Sequence, residues 1–224
     1  MGWTRYAVYW APDGDLGEAG ADWLGWDLRR GAARQGLVEA AAARRYGFHA
    51  TLKPPFRLRE GTSESALLST ARDIARGLAP VGLGRLSVAR LGSFVALRPE
   101  RAGGIGRVAD ALVEGLDGFR APAPEAELAQ RRAGGLGARQ EAYLLRWGYP
   151  HVFEEFEPHL TLSGPGEPDE IRVRAEAHFG TCLSLEITLA RVSLVGEGAD
   201  GHFRLIADLP LGHAAASDDR AASA

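Results

Sequence analysis

One cysteine, Cys182, stands in 224 residues, so neither an internal disulfide nor a cysteine-based zinc cluster is available. Excess positive charge is missing too: 26 Lys and Arg against 29 Asp and Glu leave a net charge of −3. A protein that coats a long nucleic acid carries a strongly basic face, and this balance speaks against one while leaving room for a local phosphate pocket. No apolar run approaches the ~18 residues that crossing a bilayer requires. The opening Met1–Pro12 has a lone Arg5 and no apolar centre of a secretory signal, and Tyr6 stands where a myristoylation signal wants Ser or Thr. These absences lead to the expectation of a protein of the reducing cytoplasm with no membrane partner.

What is present is enough apolar material for a core, 46% of the chain. Residues 1–211 read as a single two-lobed domain, and the Ala/Ser/Asp-rich stretch 212–224 as a disordered tail. Arg5–Trp10 alternates as a strand, with Tyr6, Val8 and Trp10 on one face and Ala7 and Tyr9 on the other. Helical character follows at Gly20–Arg30 and again at the Ala-rich Val38–Arg45. Tyr46–Leu52 has the period of a strand, and Lys53-Pro54-Pro55-Phe56 closes it, since consecutive prolines do not continue a central ladder. Ser65–Leu78 and Ile105–Leu116 are amphipathic helices flanking a hairpin at Leu86–Leu91 and Phe94–Arg98. Ala121–Arg139 reads as a loop holding a short helix at Glu125–Arg132.

The second half replays the first: strand Phe156–Leu162, helix Pro168–Phe179, then a longer hairpin of Leu183–Val195 and His202–Ala207. Val88-Ala89-Arg90-Leu91 is echoed by Leu189-Ala190-Arg191-Val192. The pattern predicts an α+β class made of a duplicated lobe, far longer in period than a solenoid repeat.

The duplication carries a chemical signature. His49-Ala50-Thr51-Leu52 recurs as His159-Leu160-Thr161-Leu162, 110 residues later. On a strand each His shares a face with its Thr, while Ala50, Leu52, Leu160 and Leu162 face the core. With six His and seven Thr in the chain, one His-x-Thr arises by accident roughly 0.2 times, and two are about tenfold rarer. His151, His178, His202 and His213 lack the Thr partner and read as surface or locally satisfied groups. No His-Glu-x-x-His or His-x-His occurs, so no metal is expected. Gly104-Ile105-Gly106-Arg107-Val108-Ala109 fits a loose dinucleotide-binding pattern, but it follows a hairpin strand that a parallel nucleotide-binding unit would not contain.

Paired His-x-Thr motifs on duplicated lobes resemble the 2H phosphoesterase superfamily, whose members are metal-independent cyclic phosphodiesterases and their relatives. Tyr46-Gly47-Phe48-His49-Ala50-Thr51-Leu52-Lys53-Pro54-Pro55-Phe56, with the opening Arg5-Tyr6-Ala7-Val8-Tyr9-Trp10-Ala11-Pro12, resembles the branch associated with phosphonate metabolism. The resemblance spans about residues 3–210. It implies a two-lobed fold with antiparallel sheets lining a central cleft and helices outside, no cofactor, and a small cyclic phosphate as substrate. A phosphorylated ribose 1,2-cyclic phosphate is the substrate the branch implies, because its genes lie beside those of carbon–phosphorus lyase.

Ring opening needs one group to take a proton from water and another to give one to the leaving alkoxide. Histidine suits both tasks near neutrality, which makes His49 and His159 the candidate catalytic pair, either being acid or base. The hydroxyls of Thr51 and Thr161 are candidate donors to the phosphate oxygens. Tyr46, Lys53, Arg146 and Trp147 are candidate substrate-binding residues, the last two on an expected strand before the second motif. Two other readings stay open: an RNA 2′,3′-cyclic phosphodiesterase, and a phosphate- or nucleotide-binding module without turnover.

Overall fold

The structure, a computed structural model, describes residues 2–166 and 168–212; the expected disordered tail lies, from residue 213 onward, outside them. Strand β1 (Tyr6–Trp10) leads into α1 (Gly14–Leu24), the short pair β2 (Trp26–Asp27) and β3 (Ala32–Ala33), the single turn α2 (Ala41–Arg44), and β4 (Ala50–Phe56). Next come α3 (Glu64–Arg76), β5 (Val81–Gly84), β6 (Leu86–Leu91), β7 (Phe94–Pro99) and α4 (Gly103–Gly115). Helices α5 (Glu125–Arg132) and α6 (Ala138–Trp147) precede β8 (Leu160–Thr161), α7 (Pro168–Leu183), β9 (Ile187–Leu189), β10 (Arg191–Glu197) and β11 (Phe203–Pro210). This is the α+β class that the sequence predicts.

The two halves are interleaved rather than set side by side. One antiparallel sheet runs β11-β10-β1-β4, so the strand after His49 lies in a sheet completed by the hairpin of the other half. The second sheet, β6-β7-β8, pairs the first half's hairpin with the strand after His159. Strands β5 and β9 tie the halves together again. The expected continuous strand through Leu183–Val195 is therefore divided: α7 extends to Leu183, β9 serves one sheet, and β10 serves another.

Strand β4 is an edge strand, which is why it runs on through Pro54 and Pro55 instead of ending before them. Its register with β1 slips between the pairs Tyr6–Phe56 and Val8–Lys53, where the prolines fall, and again between Val8–Lys53 and Tyr9–Thr51. Val8, Trp10, Ala50 and Leu52 enter the main core, against the helices. Ala7, Tyr9 and Ala11 join Trp26, Leu28, Val195 and Phe203 in a second apolar cluster.

The helices follow their sequence stripes with shifted ends. In α3, Leu67, Ala71 and Ala75 are buried at intervals of four, and the Ser63 hydroxyl caps the first turn by accepting from the Ala66 N–H. The helix expected at Gly20–Arg30 instead starts at Gly14 and stops at Gly25, whose φ of 80° is a left-handed cap. Trp26 and Leu28 lie beyond the helix and fill the second cluster, with Trp26 Nε1 donating to the Phe203 carbonyl. Val38–Arg45 keeps a single helical turn. The strand expected for Phe156–Leu162 shrinks to Leu160–Thr161, preceded by a 3₁₀ turn at Phe153–Glu155.

Helix α1 packs so closely that Gly20 has no room for a side chain: a Cβ there would stand 2.0 Å from the Phe48 ring. Phe48 in turn stacks on Phe179 and immediately precedes His49. Gly20→Ala is therefore expected to lower stability by ~1–3 kcal/mol through overpacking, measured by urea unfolding. An unchanged midpoint would show that this contact yields freely.

Candidate active site

Each repeated His sits one residue before its strand begins, where the backbone is free of the ladder. His49 Nδ1 lies 2.9 Å from the Gly47 carbonyl and His159 Nδ1 2.7 Å from the Glu157 carbonyl. In both, an Nδ1–H donates two residues back, which fixes the tautomer and leaves the Nε2 lone pair outward. The first copy needs glycine at its acceptor position: Gly47 has φ 74°, and a Cβ there would come within 2.6 Å of Leu28 Cβ. His49 Nε2 is 3.1 Å from Thr51 Oγ1, so the neutral ring accepts the threonine hydroxyl's hydrogen. Thr161 holds the matching place beside His159, half-buried on β8.

Thr51 and His159 line one cavity of ≈ 690 Å³, with Phe94, Tyr149, His151 and Phe156 among its walls. His49 lies behind Thr51, its ring stacked on Tyr9 at 3.8 Å between centroids and 25° between planes. Tyr46 flanks the same ring at 6.1 Å. Phe94 packs against His159 at 5.5 Å. Burial pushes the His49 imidazole down from its ordinary 6.5 to about 4, the Gly47 carbonyl working against this and repulsion from His159 adding to it. Burial also lowers His159; the Glu157 carbonyl and carboxylate oppose the shift, and Arg98 and His151 reinforce it. Each imidazole is thus neutral near pH 7, and a proton placed on His159 would be felt as repulsion at His49.

Of the candidate binding residues, Tyr46 stands beside His49, and three others are turned elsewhere. Lys53 is 2% exposed and donates from Nζ to the Val113 carbonyl at 3.0 Å. Strict alternation would put it on the face of His49 and Thr51, but the register slip between Val8–Lys53 and Tyr9–Thr51 aims it into the core. There its charge meets the last turn of α4, where carbonyls have no helical partners. Burial still lowers its pKa from 10.5 to about 8. Arg146 and Trp147 belong to the end of α6, not to a strand. Arg146 pairs with Asp117, and Trp147 packs on Phe153.

Tyr149 and Phe94 join the site unannounced, and Tyr9 and His151 join it although the sequence reads one as a structural strand residue and the other as a surface group. Tyr9 faces Thr51 through the β1–β4 register, and Tyr149 and His151 arrive on irregular chain after α6, so no local periodicity marks any of them. The Tyr9 hydroxyl is fully buried without a hydrogen-bond partner. Among the described residues no cluster of three or more His, Cys, Asp or Glu is placed to hold a metal ion. No helix of the described residues is long and apolar enough to cross a membrane.

Residues 51–204 match the family model described as protein of unknown function (DUF1045). The chain is 39% identical over 204 residues to a ribose 1,5-bisphosphate phosphokinase PhnN of Janthinobacterium sp. (strain Marseille), covering 81% of this chain and 44% of that one. The protein of that name from Laribacter hongkongensis (strain HLHK9) is 40% identical over 195 residues, covering 80% and 45%. The chain thus spans less than half the length of these curated relatives. A solved structure described as a phosphoesterase overlays with a TM-score of 0.49 at 14% identity, covering 93% of this chain and 99% of that one.

The buried Lys53 gives a pH-dependent test. Its folded pKa lies below its unfolded value, so between pH 8 and 10.5 the unfolded chain binds more protons and stability rises with pH. Its contribution has a slope of up to about 1.4 kcal/mol per pH unit. Urea unfolding from pH 7.5 to 10 is expected to lose that rise in Lys53→Met; identical slopes in both proteins would contradict the assignment.

Proposed function

The chain belongs to the DUF1045 family, and from that premise we propose that it is a metal-independent phosphodiesterase that opens a small cyclic phosphate. The observation that carries the reading is the paired imidazole: two His-x-Thr units with the same Nδ1 tether, one contributing Thr51 and the other His159 to a single cavity, with His49 close enough to feel the charge of a protonated His159. Water attacks phosphorus, one ester P–O bond breaks, and a phosphomonoester with a free hydroxyl results. His49, the more deeply buried ring, whose proton affinity burial lowers strongly, takes the water proton at Nε2. His159 gives the leaving oxygen its proton, the bound diester anion having raised its affinity for one. The hydroxyls of Thr51 and Thr161 donate to the non-bridging oxygens as charge gathers there.

The finer substrate reading is a 5-phosphorylated ribose 1,2-cyclic phosphate, in phosphonate breakdown. Opening its ring at the 2-oxygen leaves ribose 1,5-bisphosphate, the compound named in the phosphokinase relatives. A long RNA substrate is less well served, because a net charge of −3 leaves no excess of Lys and Arg to track a long phosphate backbone.

Phosphorus NMR of the protein with a panel of ribose and nucleoside cyclic phosphates is expected to yield a monoester signal. His49→Ala and His159→Ala are each expected to reduce the rate by ~10²–10⁴-fold, and a chelator to leave it unchanged. No turnover across the panel, or full turnover in either variant, would refute the reading.

The pH profile follows from the two shifts. The base must be neutral and therefore works above about pH 4, while the acid must be protonated and works below a pKa that lies under 6.5. The profile of kcat/KM is expected to be a bell centred on the acid side of neutrality; a maximum above pH 7 would contradict the assigned roles.

A further inference from the structure

Cations are unevenly placed around the two imidazoles. On the second sheet, Ala96 pairs with Thr161 and Leu97 with Leu160, so the next position, Arg98, falls across from His159. On the first sheet, Tyr9 pairs with Thr51 and Trp10 with Ala50, so the corresponding position across from His49 is Ala11. Residues directly opposite in an antiparallel pair share a face. One imidazole therefore has a guanidinium beside it and the other a methyl group.

Arg98 is half-buried, and among the described residues it has no carboxylate at ion-pair distance and no side-chain hydrogen bond. Arg5, Arg131 and Arg146 are ion-paired with Glu197, Glu127 and Asp117, while Arg45 lies over the Tyr46 ring and Arg90 donates to the Gly92 carbonyl. The cavity wall itself carries Glu154, Glu155 and Glu157 and no Lys or Arg. A phosphate drawn to His159 enters a field of like charge unless a cation offsets it. Arg98 is close enough for its charge to act on the His159 ring.

We propose that Arg98 is a catalytic residue of this cleft, its guanidinium donating to the non-bridging oxygens of the substrate phosphate on the His159 side. The proposal rests on the cyclic phosphodiesterase reading. A guanidinium presents paired N–H donors that match two phosphate oxygens, and its charge counts for most when negative charge builds on those oxygens in the transition state. Because it stands beside one imidazole only, it also gives the pseudo-symmetric site a direction, pulling the phosphate oxygens toward the side of the proposed acid.

The test compares wild type with Arg98→Gln and Arg98→Lys in turnover of a ribose cyclic phosphate and in calorimetric binding of inorganic phosphate. Arg98→Gln is expected to lose ~10²–10³-fold in kcat and to bind phosphate at least about tenfold more weakly, a drop of ~1.4 kcal/mol. Its alkaline pH limb is expected to move upward, since the repulsion on His159 is gone. Arg98→Lys keeps the charge and stem and is expected to recover part of both losses, which also separates the role from a folding defect. Unchanged turnover and phosphate affinity in Arg98→Gln would overturn the proposal while leaving the phosphodiesterase reading intact. Wild type inactive on every cyclic phosphate would instead defeat that reading; phosphate binding lost in Arg98→Gln would still support Arg98 as an anion contact, and equal binding would remove it.

Discussion

The hydrogen bond from each histidine's Nδ1 to the carbonyl two residues earlier governs the chemistry that the cleft can perform. It decides which ring nitrogen carries the proton, and so which one faces the reactants. His49 uses Gly47 and His159 uses Glu157 in the same way, although the two acceptors differ in side chain. The contact is possible because both rings stand on the last irregular residue before a strand, where the backbone can turn its carbonyl back toward the imidazole. Tyr9, stacked flat on His49, then keeps water from one face of the ring and holds it neutral.

Interleaving of the halves brings the two rings together. Had each half folded on its own hairpin, the motif strands would belong to independent lobes. Instead the strand after His159 completes the sheet of the first hairpin, and the strand after His49 joins, through β1, the sheet of the second. Burial of Leu52, Leu160 and Leu162 behind the motifs anchors the same strands in one continuous core. Moving one imidazole relative to the other therefore requires disturbing packing that both halves share.

Much of this was legible in the residues, for physical reasons that can be named. Helices α3 and α4 follow from apolar stripes and flanking turn residues, and the hairpin β6–β7 from alternation around Gly92-Ser93. The His-x-Thr repeat was legible because its spacing is local. What failed to show was whatever depends on register. The slip in β4 sends Lys53 to the core, and no reading of alternation reveals a bulge. Arg98 and Tyr9 acquire their neighbours only when strands distant in sequence are aligned. Arg146 and Trp147 looked like strand residues, yet the run of good helix formers from Ala138 and the left-handed Gly148 that stops it gave them to a helix.

The central claim is that both Nε2 atoms address a single phosphorus atom from opposite sides. A crystal structure with a vanadate ester of a vicinal ribose diol tests it most directly, because pentavalent vanadium displays the two apical oxygens of an in-line displacement. The account predicts His49 Nε2 within hydrogen-bond distance of one apical oxygen and His159 Nε2 of the other. Vanadate held by only one of the rings, with the second turned away from the metal's oxygens, would contradict it.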